Sequence, residues 1–259
     1  MQPLFFGTSG RRLFGAYHAA QGGRGRGPAV VLCQPFGHEY LRGHRAFRNL
    51  AIAIAERGRH VIRFDYFGTG DSAGASDEHT VEQSLADIAA AIEEVKDISE
   101  ATEVTLVGLR LGATLAMLAA SGRRDVDRVI LWDPVIAGDA HLDSLASLQQ
   151  EWLEDRMGRQ AANIGDAELI GFPMTAGMRS QLMATRIAPP PTLRARRVDL
   201  FVSSDDPAYR SLQASLEGAH VQVGYHVEPG AGVWDRGDLV HQILLPHTMV
   251  RAIASAVSP

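Results

Sequence analysis

The sequence predicts an α/β fold, a mostly parallel central sheet with helices on both faces, and three observations carry that prediction. Ala29-Val30-Val31-Leu32-Cys33 is an unbroken apolar run, the pattern of a strand buried on both faces of a parallel sheet. Segments with a helical apolar period alternate with strand-like segments through the first half of the chain. Val104-Thr105-Leu106-Val107 passes through a glycine-flanked pentapeptide, Gly108-Leu109-Arg110-Leu111-Gly112, into the small-residue helix pattern Ala113-Thr114-Leu115-Ala116.

Taken in order, Leu4 to Phe6 and Leu13 to His18 alternate as an antiparallel hairpin joined by a Thr8-Ser9-Gly10 turn. Residues 21–28, rich in glycine and arginine, read as a loop. After the 29–33 strand, residues 43–57 form a helix with Phe47, Leu50, Ala51, Ile54 and Ala55 on one face, stopped by Gly58. His60 to Phe64 is a strand, Val81 to Val95 a helix, 104–107 a strand, and Asp127 to Trp132 another, ending at Asp133-Pro134. Regular alternation then stops. Residues 139–185 read as helices and loops without a strand, closed by the stiff connector Ile187-Ala188-Pro189-Pro190-Pro191. Strand patterns resume at 198–202 and 221–225, and a helix spans roughly 247–257. The expected organisation is one domain, 1–259, with residues 139–195 as a helical cap over the C-terminal strand ends, where such sheets bind ligands.

A chain of 259 residues suits one such domain, and 46% hydrophobic with 21% charged residues is ordinary globular composition. A formal charge of −5 gives no electrostatic case for nucleic acid. Twenty-four of the 25 basic residues are arginine, Lys96 being the exception, so a surface arginine carries little weight as a signal. A single cysteine, Cys33, excludes an intrachain disulfide and reads as a packed thiol in a reducing compartment. Met1 to Gly7 lacks a charged leader region and no apolar run reaches membrane-spanning length, so the expectation is a cytoplasmic chain with no membrane partner. No spacing of His, Cys, Asp or Glu suggests a metal site, Gly68-Thr69-Gly70 is too short for a phosphate loop, and no cofactor is expected.

The 108–112 segment has the form of the nucleophile elbow G-x-S-x-G, in which glycines allow a strained turn to lift one side chain above the sheet. Here that residue is Arg110, whose guanidinium stays protonated and has no nucleophilic electron pair. Asp65-Tyr66-Phe67-Gly68-Thr69-Gly70-Asp71-Ser72 forms a D-x-x-G-x-G-x-S loop upstream. On these motifs the chain resembles the α/β-hydrolase superfamily over essentially its whole length. Gln34-Pro35-Phe36-Gly37-His38-Glu39-Tyr40, together with 108–112, is similar to the exosortase-system-associated hydrolases and their serine-aminopeptidase-like relatives.

The resemblance implies an acid after the 198–202 strand, and Asp206 matches it, with Asp205 as the alternative. It also implies a histidine in the loop after the last strand. Residues 229–237 contain none, and Val233 or Trp234 takes its place. The usual His-Gly oxyanion loop is replaced by Pro35-Phe36-Gly37, leaving backbone donors from Phe36 or Gly37 and from Leu111.

Each candidate has a plainer reading. Arg110 is either an anion clamp beside helix N–H groups or a structural plug paired with Asp206, Asp133 or Glu39. His38 and Glu39 either do acid–base or ligand-contact work or sit in a solvated loop. Arg42, His44, Arg45 and Arg48 open the helix, with Arg45 as the ligand contact or simply a solvated face. His241 is a displaced base or part of the terminal helical region; His226 and His247 read as packed or surface residues, and Ser72 as loop support. Trp152, Phe172, Met174 and Met178 line a pocket or pack between cap helices. Three functions follow. The first is a degenerate-triad protein binding a small anionic or acyl-bearing molecule between sheet and cap. The second is a non-serine hydrolase or acyltransferase acting on an ester or thioester with His38, Glu39 and Arg110. The third is a non-catalytic partner in a biosynthetic or exopolysaccharide system, with a second copy of the chain also left open as a partner.

Overall fold

The computed structural model describes residues 1–22, 27–157, 167–190, 192–229, 232–234, 239 and 242–258. Eight strands form one sheet: β1 (Gln2–Thr8), β2 (Arg11–His18), β3 (Ala29–Cys33), β4 (Val61–Phe64), β5 (Val104–Leu109), β6 (Val126–Trp132), β9 (Arg197–Val202) and β10 (Gln222–Val227). Their order across the sheet is β1-β2-β4-β3-β5-β6-β9-β10. Only β1–β2 and β2–β4 pair antiparallel; every pair from β4 to β10 is parallel.

Helices α1 (His38–Glu56) and α7 (His247–Val257) cover one face. Their apolar sides, including Phe47, Leu50, Ile54, Met249 and Ile253, bury Val107, Leu109, Ile130 and Trp132 of the sheet. Helices α2 (Val81–Ser99) and α3 (Leu111–Ala119) cover the other face, against Val31, Leu106, Val129 and Leu131. Strands β3, β5 and β6 are therefore buried on both sides, as their apolar composition requires.

Between β6 and β9 the chain forms α4 (Gly138–Met157), a two-residue strand pair β7 (Glu168–Leu169) and β8 (Phe172–Pro173), and α5 (Ala176–Ala184). The expectation of no strand in 139–185 is thus corrected. Ile170 and Gly171 both take positive φ, 50° and 80°, which is the backbone of a tight hairpin turn. Two residues per strand are too few for any period to show. This segment enters and leaves through a narrow neck: Gly138 N–H donates to Thr185 O, Ile187 N–H donates to Ile136 O, and Ala137 bridges Arg186.

Two other boundaries differ from the sequence reading. Helix α1 starts at His38 rather than 43, because Gly37, at φ 61° and ψ −135°, turns the chain into the helix without a side-chain cap. Helix α6 (Pro207–Gly218) stands between β9 and β10, with Asp206 as N-cap, Pro207 in the first turn, and Leu212 and Leu216 buried.

The elbow glycines are sterically required. A Cβ on Gly112 would lie 2.2 Å from Cys33 O and 2.3 Å from Gln34 O. Gly112→Ala is expected to cost at least ~2 kcal/mol in urea unfolding, since backbone must move to admit the methyl. Gly10→Ala, which meets nothing within 4 Å, is the matched control and should change little.

Candidate functional site

Strand β5 delivers Arg110 into a sharp turn at φ 54° and ψ −122°, a conformation that only a surrounding structure can hold for a residue with a side chain. Backbone hydrogen bonds supply that hold. Arg110 N–H donates to Trp132 O at 3.0 Å, and its carbonyl accepts from Ala113 and Val135 at 3.0 and 3.3 Å. The side chain therefore stands at the C-terminal edge of the sheet, at the N-terminus of α3.

The early start of α1 decides what it meets. His38 and Glu39 lie in the first helical turn, buried, instead of in a solvated loop. Arg110 Nε donates to Glu39 Oε1 at 2.8 Å, and Arg110 Nη1 donates to the Asp133 carbonyl at 3.2 Å. Burial raises the Glu39 carboxyl, but the Arg110 guanidinium, with His141 and His38 beside it, outweighs burial and holds it below its ordinary value. Burial likewise works against the Arg110 cation, and Glu39 more than restores it. Glu39 Oε2 is buried and makes no hydrogen bond among the described residues. It faces His141 Nε2, from α4, at 4.0 Å. Burial lowers the His141 pKa to about 4, against the pull of Glu39 and with the help of Arg110 and His38, so the ring is neutral at pH 7.

A second hydrogen-bonded group adjoins this one. Asp133, at the end of β6 with φ 42°, accepts from Ser203 N–H at 2.6 Å, Ser203 Oγ–H at 2.5 Å and Trp234 Nε1–H at 2.9 Å. The Trp234 ring lies near two guanidinium groups, with Arg42 Cζ and Arg110 Cζ each 5.4 Å from its centroid. Asp206, the expected acid, instead caps α6 and accepts from Ala208 N–H at 2.7 Å. Asp205 pairs with Arg210 and accepts from Tyr225 O–H, out on the surface. Asp133 joins Glu39 as a buried carboxylate at the elbow.

Two pockets open along this edge. A cleft of about 360 Å³ is bordered by Arg110, Val135, His141, Ser144, Asp206 and Tyr209. A more apolar pocket of about 240 Å³ lies beside Phe36, Gly37, Tyr40, Tyr66 and Phe172. Leu111 begins α3, so its N–H has no acceptor within the helix. Arg45 is exposed on the outer side of α1 and is not brought to either pocket. His241 lies outside the described residues. His226 stacks on Phe201 at 4.3 Å and His247 is exposed at the start of α7. Ser72 supports its loop, accepting from Phe14 N–H and donating to Asp65 O. Phe172 lines the apolar pocket, whereas Met174 and Met178 are core.

Sequence reasoning missed His141 and Tyr209. His141 sits in the cap segment at a position no motif marks, four residues after the helix-opening Ala137 carbonyl that its N–H reaches. Tyr209 followed from the Asp206-Pro207 helix start, a legible signal that the search for a triad acid overrode.

Parallel strands, helices on both faces and a strand–turn–helix elbow beneath a cap define a protein of the α/β-hydrolase fold. The chain belongs to the family described as serine aminopeptidase, S33, whose model matches residues 29–199. No curated protein matches it. Among solved structures it is similar to Est1E from Butyrivibrio proteoclasticus with ferulic acid bound, at 18% identity and TM-score 0.67, covering 98% of this chain and 96% of that one. It is also similar to the proline iminopeptidase of Mycobacterium smegmatis, at 13% identity and TM-score 0.62, covering 99% and 97%. A thioesterase domain from the curacin biosynthetic pathway matches at 17% identity and TM-score 0.58, covering 99% of both chains. Likenesses this distant in sequence show the fold.

The buried charges make two predictions. Glu39→Ala strands the Arg110 cation and is expected to cost about 3–5 kcal/mol, read by urea unfolding at pH 7. The His141 pKa lies below its unfolded value of 6.5, so between about 6.5 and 4 the unfolded chain binds the extra proton and stability falls as pH falls. Lowering the pH from 7 to 4.5 should therefore remove about 2–3 kcal/mol more from the wild type than from His141→Gln.

Proposed function

We propose that this chain uses the cleft beside Arg110 to bind a small acyl-bearing ligand, without serine-hydrolase chemistry, because its triad is degenerate. The observation that carries the reading is the Arg110–Glu39 pair at 2.8 Å on the elbow. A cation fixed by a buried carboxylate stands where the fold would present a nucleophile. Trp234 occupies the loop where the resemblance expects an imidazole, and an indole N–H donates without accepting. Asp206 has turned to helix capping.

The charge balance selects within the ligand class. Glu39 neutralises Arg110, and Asp133 and Asp206 lie close by to offset Arg42, so among the described residues the cleft has no surplus of positive charge for a phosphate dianion. Arg110 commits two of its five N–H groups among the described residues, leaving donors suited to a carbonyl or a single carboxylate. The apolar pocket walled by Phe36, Tyr40 and Phe172 suits the hydrocarbon or aryl part. Est1E, similar in fold, holds ferulic acid, an aryl carboxylic acid, which supports that choice. One buried cysteine, and no described helix long and apolar enough to cross a membrane, support a cytoplasmic site of action.

Ferulic acid at several times its Kd should raise Tm by about 2–4 °C, and Phe172→Ala should abolish that shift. A fluorophosphonate probe should leave the protein unlabelled by intact mass. Stoichiometric labelling of any serine would overturn the absence of serine chemistry, and a flat melting response to ferulic acid and to butyrate would overturn the acyl-ligand reading.

A further inference from the structure

We infer that Glu39 and His141 form a water-activating dyad that hydrolyses an ester held in the Arg110 cleft by direct attack, with no acyl-enzyme. This rests on the acyl-ligand reading above and adds a reaction to it. The elbow has lost its nucleophile, and the imidazole missing from the 229–237 loop is replaced from another direction, by the cap helix α4. His141 borders the cleft together with Arg110. Its Nε2 faces Glu39 Oε2 at 4.0 Å, and that oxygen is buried with no hydrogen bond among the described residues. Catalytic hydrogen bonds are commonly long without substrate and tighten with it. The other Glu39 oxygen is fixed by Arg110 Nε, so the carboxylate cannot swing away from the ring.

The arrangement divides the labour in a way that balances. With one ring nitrogen turned to a carboxylate, an imidazole offers the other as a proton acceptor. Water in the cleft loses a proton to His141 as its oxygen bonds to the ester carbonyl carbon, and Glu39 balances the imidazolium. The uncommitted Arg110 N–H groups and the Leu111 N–H face the charge that develops on the carbonyl oxygen. The tetrahedral species collapses, its bond to the alkoxy oxygen breaks, and His141 returns the proton to that oxygen. The products are a carboxylic acid and an alcohol, and nothing besides water is consumed.

The groups around the ring set the pH behaviour. Glu39 and His38 face it from α1 and Arg110 from the elbow; Tyr209 of α6 borders the same cleft with its phenol raised by burial, and stays neutral. Burial brings the His141 pKa to about 4, so kcat should fall as the pH drops through about 4.

The test follows methyl ferulate hydrolysis and ferulic acid binding in wild type, His141→Gln and Ser147→Ala, with thermal melts to confirm folding. The expected result is slow hydrolysis by wild type without a burst, lost at least ~100-fold in folded His141→Gln, with ferulic acid affinity within about threefold of wild type. Ser147, exposed on the same helix and not part of the cleft lining, carries the control substitution, and its variant should keep both hydrolysis and binding. Should His141→Gln match wild type, or wild type bind ferulic acid without hydrolysing the ester, the dyad is refuted and the binding reading stands. A burst, or an acyl adduct on any serine seen by intact mass, refutes direct attack. Failure of wild type to bind either ferulic acid or butyrate refutes both.

Discussion

The ion pair between Arg110 and Glu39 governs the chemistry of this edge of the sheet. Each charge is costly alone in a buried setting, and each is held ionised by the other. Neither side chain is free to choose a different partner. Arg110 is fixed by a turn that its backbone hydrogen bonds to Trp132, Ala113, Thr114 and Val135 enforce, and Glu39 by its place in the first turn of α1. Three neighbours lie against this pair: the neutral histidine near Glu39, the indole of Trp234 and the carbonyl of Asp133. A serine at the elbow would leave the glutamate as an isolated buried anion, so the two residues are meaningful only together.

The fold was legible because it rests on patterns that repeat over many residues. Five apolar residues at 29–33, the glycines at 108 and 112, and the periodic faces of 43–57 and 247–257 each constrain packing locally, and the structure agrees at all four. Element starts that depend on one unusual residue were not legible. Gly37 opens α1 without any hydroxyl or carboxylate cap, and Ile170 takes a positive φ that its branched side chain disfavours. The site was legible in part. Arg110 and Glu39 were visible as a pair of candidates because both lie at the ends of recognisable strands. His141 was not, since nothing in Asp139-Ala140-His141-Leu142 indicates that the cap folds back on α1.

Position in a motif leaves the role of an acid open. A carboxylate following a strand serves a triad in one protein and caps a helix in another, and the residue after it decides which. Pro207 fixes the first turn of α6, which draws Asp206 toward the Ala208 amide. The buried acid then comes from the end of β6 instead, where Asp133 is satisfied by Ser203 and Trp234.

Trp234 has one more property that follows from where it sits. Its ring lies near two guanidinium groups and its N–H is bound to a carboxylate, so the indole lies in a strong, fixed electric field. Indole emission responds to such fields through the large dipole of its excited state. Of the chain's three tryptophans, Trp132 is sealed in the core and Trp152 belongs to the cap, whereas Trp234 abuts the guanidinium that borders the cleft. A change in the charge balance at Arg110 therefore reaches the Trp234 ring directly, and the colour of its emission is expected to follow that guanidinium without an added dye.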